Sequence, residues 1–142
     1  MILITGGVYQ GKLSVAKMRF KQENKESMPV VIDAGIGEFE QMLKADIIFN
    51  LHLWIKRLLE EEGDPYQMIS ALVNQNKKVI LTVAELGCGV VPIDKFDRNY
   101  REVTGRICCE LAQKSSQVIR VLCGIATVIF SAQQEAAKPE RI

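Results

Sequence analysis

The stretch Gly6-Gly7-Val8-Tyr9-Gln10-Gly11-Lys12 follows directly on the apolar run Met1-Ile2-Leu3-Ile4-Thr5. Glycines let the backbone adopt positive φ and come close to an anion. Successive N–H groups then form a concave nest for phosphate oxygens, and a helix beginning near Lys12 turns its positive end on the same point. A buried strand, a glycine-rich loop closing on lysine, and a helix together make the frame of the phosphate-binding loop G-x-x-x-x-G-K-[S/T]. Gly6 to Leu13 are therefore the expected nucleotide-binding residues, with Lys12 reaching the β- and γ-phosphates. Leu13 stands where a Ser or Thr hydroxyl meets Mg²⁺. The next hydroxyl, Ser14, comes one residue late and is turned roughly 100° away on a helix.

Phosphoryl transfer asks for little beyond positioning and charge neutralisation, usually with an acidic residue at the end of a neighbouring strand. Ile48-Phe49-Asn50 ends one strand without an acid, whereas Val83-Ala84-Glu85 ends another with one. Glu85 is the candidate general base or ligand of metal or metal-bound water, together with Ser14; a structural salt bridge is the alternative. Asp33 closes the apolar run Pro29-Val30-Val31-Ile32, where open α/β sheets place ligand groups; a capping or solvated role competes. His52 is the single histidine. Imidazole can accept phosphoryl and nucleotidyl groups, but a histidine at a helix start also caps or packs. The four cysteines, at 88, 108, 109 and 123, form no C-x-x-C pair, so zinc-site spacing is absent. They are expected to be reduced core or near-core residues, with a cytoplasmic location as the default.

The elements that must position these groups alternate along the chain. Strands are expected at 1–5, 29–33, 46–50, 78–84 and 118–123, with a possible sixth at 127–130. Helices are expected at 12–22, 38–45, 51–59, from Pro65 behind an Asp64 N-cap, and from about Asp94 to Ser116. Leu13, Ala16 and Phe20 share a side of the first. Trp54, Ile55, Leu58 and Leu59 make one face of the third, and Ile69, Leu72 and Val73 the stripe of the fourth. In the last, Phe96, Tyr100, Val103, Ile107 and Leu111 oppose Arg98, Arg101 and Arg106. The alternation predicts an α/β, three-layer, P-loop-like fold, a mostly parallel sheet flanked by helices. Residues 1–130 form one nucleotide-binding domain and 131–142 a polar, frayed tail.

A chain of 142 residues suits one domain with a real core. Hydrophobic content of 48% and charged content of 25% are those of an ordinary globular protein. A net charge of +1, with no basic run, argues for neither nucleic acid nor a membrane surface as partner. No apolar stretch reaches the length of a membrane span.

Gly6-Gly7-Val8-Tyr9-Gln10-Gly11-Lys12 resembles the opening M-I-L-V-T-G-G-x-x-S-G-K-S of the adenosylcobinamide kinase/adenosylcobinamide-phosphate guanylyltransferases. Leu51-His52-Leu53-Trp54-Ile55-Lys56-Arg57-Leu58-Leu59 is similar to their C-L-T-L-W-L-T-N-L-L. Ala84-Glu85-Leu86-Gly87-Cys88-Gly89-Val90-Val91-Pro92 is similar to N-E-V-G-x-G-I-V-P, and Arg98 to Arg106 to R-x-F-R-D-x-x-G-R. Val121-Leu122-Cys123-Gly124-Ile125 matches V-V-x-G-I/L.

The resemblance implies a late step of cobalamin assembly. A phosphoryl group passes from ATP or GTP to the aminopropanol hydroxyl of a corrinoid, with Mg²⁺, Arg101 and Arg106 on the substrate, and a homo-oligomer, usually a trimer. The family's H-H-x-x-R-P segment, with its guanylylated histidine, falls between the second and third strands; here Gly35 to Ala45 holds no histidine. His52 stands at a family threonine, Leu13 at the loop serine, and Phe49 at an acidic position. The expectation is therefore kinase chemistry rather than guanylyl transfer. The alternatives are a lapsed nucleotide- or corrinoid-binding subunit and a kinase of another small molecule.

Overall fold

The computed structural model describes residues 1–135. It contains a six-stranded sheet in the order β2-β3-β4-β1-β5-β6. The strands are β1 (Ile2–Gly6), β2 (Val31–Asp33), β3 (Ile47–Phe49), β4 (Ile80–Ala84), β5 (Gln117–Leu122) and β6 (Ile125–Ser131). The helices are α1 (Lys12–Glu23), α2 (Phe39–Met42), α3 (Leu51–Glu60), α4 (Pro65–Gln75), α5 (Lys95–Lys114) and α6 (Ala132–Glu135).

Strand alternation divides the core in two. Ile2, Ile4, Ile47, Ile80, Ile119 and Val121 face Val15, Ala16 and Phe20 of α1. Leu3, Ile48, Leu81, Val83 and Val118 face the other way, onto α2, α3, α4 and α5. Burial on both faces is why these strands are apolar throughout rather than alternating. Leu51, Trp54, Ile55 and Leu58 make α3 a wall of that second layer, each contributing about 1.5–3 kcal/mol of burial. Asp64 caps α4 as its sequence predicts, its Oδ1 accepting from the Tyr66 and Gln67 amides at 3.0 and 3.1 Å.

From β1 the chain crosses to the β2 edge over one face; from β4 it crosses to β5 over the other. β1 and β4 thus flank the point where the connections part, and the crevice at their carboxyl ends is where open α/β sheets hold ligands.

Three expectations change. The last strand is antiparallel to β5, because Cys123 and Gly124 both take positive φ, 50° and 76°, the backbone of a tight two-residue hairpin. Its run to Ser131 and the short α6 replace the start of the expected tail; residues 136–142 lie outside the described residues. Of the cysteines only Cys108 is near-core, packed against the larger cluster; the other three are not. Cys88, Cys109 and Cys123 are exposed and Cys108 is half-buried, since they fall in a loop, on the outer side of α5 and in the hairpin turn. In α1, Val15 joins Ala16 and Phe20 in the core while Leu13 is only partly covered. No described helix is long and apolar enough to cross a membrane.

Candidate functional site

The loop leaving β1 is built to expose its amides. Among the described residues, none of the backbone N–H groups from Gly7 to Ser14 donates to a protein acceptor. Unpaired donors at the start of an α-helix are the kind of groups that suit an anion. The loop is held open from the side by Gln10. Its carbonyl accepts from the Gly124 amide at 3.0 Å, and its Oε1 accepts from the Cys123 amide at 2.6 Å. The β5–β6 hairpin therefore braces the loop through backbone groups. Tyr9 rides at the tip with φ 58° and 98% of its surface exposed, while Val8 is exposed beside it.

Lys12 folds beneath the loop. Its Nζ donates to the Gly7 carbonyl at 2.6 Å, and the residue is only 9% exposed. Burial lowers its pKa from the ordinary lysine value, and the charge of Glu85 partly opposes that. The ammonium is thus preplaced beside the free amides, with a carboxylate as its distant counter-ion.

Glu85 is committed. Arg120 approaches it side-on, Nε to Oε1 and Nη2 to Oε2, both at 2.9 Å. Thr5 donates to Oε1 at 3.2 Å, and the Cys88 thiol lies 3.8 Å from Oε2. Arg120 above all holds the carboxyl below its ordinary pKa, against the opposing effect of burial. Thr5 stands in register between Val83 and Arg120, so this cluster exists because β1 lies between β4 and β5. Such a carboxylate orders the strand ends better than it accepts a proton.

His52 is 8% exposed in the first turn of α3. Its Nδ1 accepts from the Ala84 amide at 3.3 Å, which places the ring proton on Nε2, and its carbonyl accepts from the Tyr100 hydroxyl at 2.8 Å. Burial first, then the charge of Lys12, lowers its pKa from 6.5 to about 4, with Asp33 opposing. The ring tethers α3 to β4. Its titration gives a stability signature. The folded chain stays unprotonated down to pH about 4, whereas the unfolded chain takes a proton near 6.5. Stability from this group is complete above about pH 6.5 and is lost as pH falls toward about 4, by at most ~3 kcal/mol. In urea unfolding at a series of pH values, His52→Asn, which keeps an acceptor for Ala84, flattens the slope between pH 6.5 and 4; an unchanged slope removes this account.

The other candidates separate. Asp33 Oδ1 accepts from the Gly35 amide at 2.9 Å and from Asn50 Nδ2 at 3.2 Å, closing the turn after β2 at the same sheet end. Arg101 reaches back over the loop that follows β4, donating to the carbonyls of Gly87 and, at 3.2 Å, Val90. Arg106 points away from it and pairs with Glu102 at 2.9 Å on the exposed side of α5. Arg98 likewise stays outside, on the carbonyls of Pro92 and Ile93. Gln10 is expected from sequence as a loop residue, but its tether to the hairpin is not; Arg120 and Thr5 are not legible as site residues, a lone arginine inside Val118-Ile119-Arg120-Val121 being the one available signal.

Protein ligands for Mg²⁺ do not gather. Leu13 packs toward the α1-side core, Ser14 is exposed, and both Glu85 oxygens are taken by Arg120. The described residues hold no group of three His, Cys, Asp or Glu side chains able to bind a metal.

Comparison with known proteins gives the same direction. Residues 26–129 match the model of the family described as cobinamide kinase / cobinamide phosphate guanyltransferase; the glycine loop precedes that match. A bifunctional adenosylcobalamin biosynthesis protein, CobU, of Escherichia coli (strain K12) is 34% identical over 78 residues, 54% of this chain and 43% of its own length. The protein of that name from Salmonella typhimurium (strain LT2) is 34% identical over 62 residues, 44% of this chain and 34% of its own. The chain thus aligns with less than half the length of these curated relatives.

Proposed function

The chain belongs to the cobinamide kinase / cobinamide phosphate guanyltransferase family, and from that membership we propose that it is a nucleotide-dependent kinase of cobalamin assembly. Its acceptor is the aminopropanol hydroxyl of a corrinoid, and its donor ATP or GTP. The acceptor oxygen bonds to the γ-phosphorus, the bond from that phosphorus to the β–γ bridging oxygen breaks, and the hydroxyl proton leaves to solvent or a phosphate oxygen. The nucleoside diphosphate departs.

One observation carries this reading: the amides from Gly7 to Ser14 have no acceptor among the described residues, and the Lys12 ammonium lies beneath them. Donors fixed in advance around transferring phosphate are the main catalytic resource of such reactions. Glu85 acts in this scheme by holding Arg120 and Thr5 in place rather than by taking the proton. Guanylyl transfer is left out, because the stretch between β2 and β3 holds only the short α2 and no histidine.

The test is incubation with adenosylcobinamide and ATP or GTP, with products identified by mass. The expected product is the phosphate ester alone; a GDP-corrinoid, or no corrinoid product, overturns the assignment. The packing of Leu13 and the outward Ser14 favour a second reading, a nucleotide- or corrinoid-binding subunit that has lost its chemistry. Leu13→Ser separates the two. Under the kinase reading it changes turnover by less than about 10-fold, under 1.4 kcal/mol of barrier. Turnover present only in the variant, measured by phosphate-ester formation, assigns the chain to the second reading.

A further inference from the structure

β6 is the outermost strand of the sheet, at the edge opposite β2. It pairs with β5 on one side, from Leu122 opposite Ile125 to Gln117 opposite Ser131. Among the described residues, no backbone hydrogen bond outside that ladder reaches Ile125 to Ser131. The other side of the strand is therefore a row of open amides and carbonyls. A bulge at Ile129 interrupts the ladder but leaves Ile125 to Val128 regular.

The side chains along this open edge are apolar on both faces of the sheet. Register puts Val128 on the α1 face, opposite Ile119, and Ile125 on the α5 face, opposite Leu122. Ile125 is 70% exposed, Ile129 59% and Val128 43%. Beside them a cleft of about 360 Å³ runs between β6 and α5, lined by Ala112, Gln113, Val118, Ile129 and Phe130. No Asp, Glu, Lys, Arg or His occurs from Val121 to Gln134. Natural edge strands are guarded by charge, proline or shortness. β2 follows that rule at its own edge: it has three residues, begins just after Pro29 and ends in Asp33. β6 has seven residues and no such guard.

We infer that this edge binds β6 of a second copy of the chain, antiparallel across a twofold axis, joining two six-stranded sheets into one. A strand that meets itself sets each of its charges near the same charge; a strand without charges meets no such repulsion. Head-to-tail pairing of sheet edges would need β6 to lie along β2, which is too short to match it. Pairing of β6 with β6 covers both open edges at once, and assembly stops there. A threefold ring is built from heterologous contacts, so this contact is separate from the trimer that the family resemblance implies. It is also independent of the kinase reading. Strand and cleft together fall short of the roughly 20–30 residues a side of a standard interface. The association is accordingly weak, with a dissociation constant on the order of 10⁻⁵ to 10⁻⁴ M.

The test is sedimentation of the full chain from about 10-fold below to about 10-fold above that constant, beside Thr127→Lys and Thr127→Glu. Thr127 is exposed and lies one residue from the midpoint of β6, so both variants fold, with Tm within about 5 °C of the wild type. The wild type rises toward twice its starting mass across the range. Each variant alone associates at least 10-fold more weakly. An equimolar mixture of the two regains the wild-type mass, because Lys and Glu then reach each other across the axis, a recovery that damage to the strand does not give. Backbone amide exchange in Ile125–Ser131 slows as wild-type concentration rises. A wild-type mass that does not change, an association that both variants keep, or a mixture no heavier than its parts overturns the inference. Protection of the β6 amides that is the same at every concentration means that the chain covers its own edge, and overturns it as well.

Discussion

Lys12→Ala weakens nucleoside triphosphate binding by about 10²- to 10³-fold, with a loss of turnover at least as large. At ~4 Å and an effective dielectric near 20, a unit charge pair is worth about 4 kcal/mol, and each 1.4 kcal/mol is a factor of ten. The lysine is already in place, its Nζ 2.6 Å from the Gly7 carbonyl, so little ordering is needed when an anion arrives. The fold loses much less. Removing Lys12 forfeits one hydrogen bond, about 1 kcal/mol, but also relieves a cation whose burial already lowers its pKa. Lys12→Met keeps the apolar stem and separates charge from packing. Both variants unfold within about 5 °C of the wild type, and both lose binding in calorimetric titration with GTP or ATP. Unchanged affinity in Lys12→Met would falsify the role given to the loop.

How far such a site could be read from sequence depends on how local its geometry is. The strand, loop, lysine and helix are contiguous from Ile2 to Glu23, so spacing alone placed the glycine loop between β1 and α1, and Asp64-Pro65 announced α4 for the same reason. Glu85 was found as a strand-end acid, but its partner was not. Arg120 meets it only because β1 is inserted between β4 and β5, an order that no local pattern encodes. The same holds for Gln10, whose tether to Cys123 and Gly124 joins residues more than a hundred positions apart. The hairpin turn was hidden because Cys123, an unusual residue for positive φ, takes the place of the asparagine or glycine that signals such a turn. Cys88, Cys109 and Cys123 were misplaced by a tendency, frequent burial of free thiols, that yields to the position of each residue on its element. Arg101 and Arg106 look equivalent in sequence; five positions on a helix turn one toward the loop that follows β4 and the other to solvent.

Gly6→Ala is the most damaging small change available to the sheet. A Cβ on Gly6 would lie 2.3 Å from the Val121 carbonyl oxygen, far inside contact distance, and the obstacle is backbone. Gly6 is in register with Val121 on one side and Ala84 on the other, and neighbouring strands sit ~4.8 Å apart because their hydrogen bonds fix them there. The clash is relieved only by prying β1 from β5. The backbone at φ 154° adds a further penalty of about 1–3 kcal/mol for a residue with a side chain. A total loss of at least ~3 kcal/mol follows, about 10 °C in Tm for a chain of this size. Gly105→Ala serves as the opposite control: it meets no atom within 4 Å, sits inside α5, and gains about 0.5–1 kcal/mol from helix propensity. Chemical denaturation of the two variants beside the wild type shows the order Gly105→Ala, wild type, Gly6→Ala. Because Gly6 leads directly into the free amides, its variant also loses nucleotide affinity at temperatures where it is still folded. Equal stability of Gly6→Ala and wild type would mean that β1 and β5 do not meet at Val121, and the nest braced between them would lose its support.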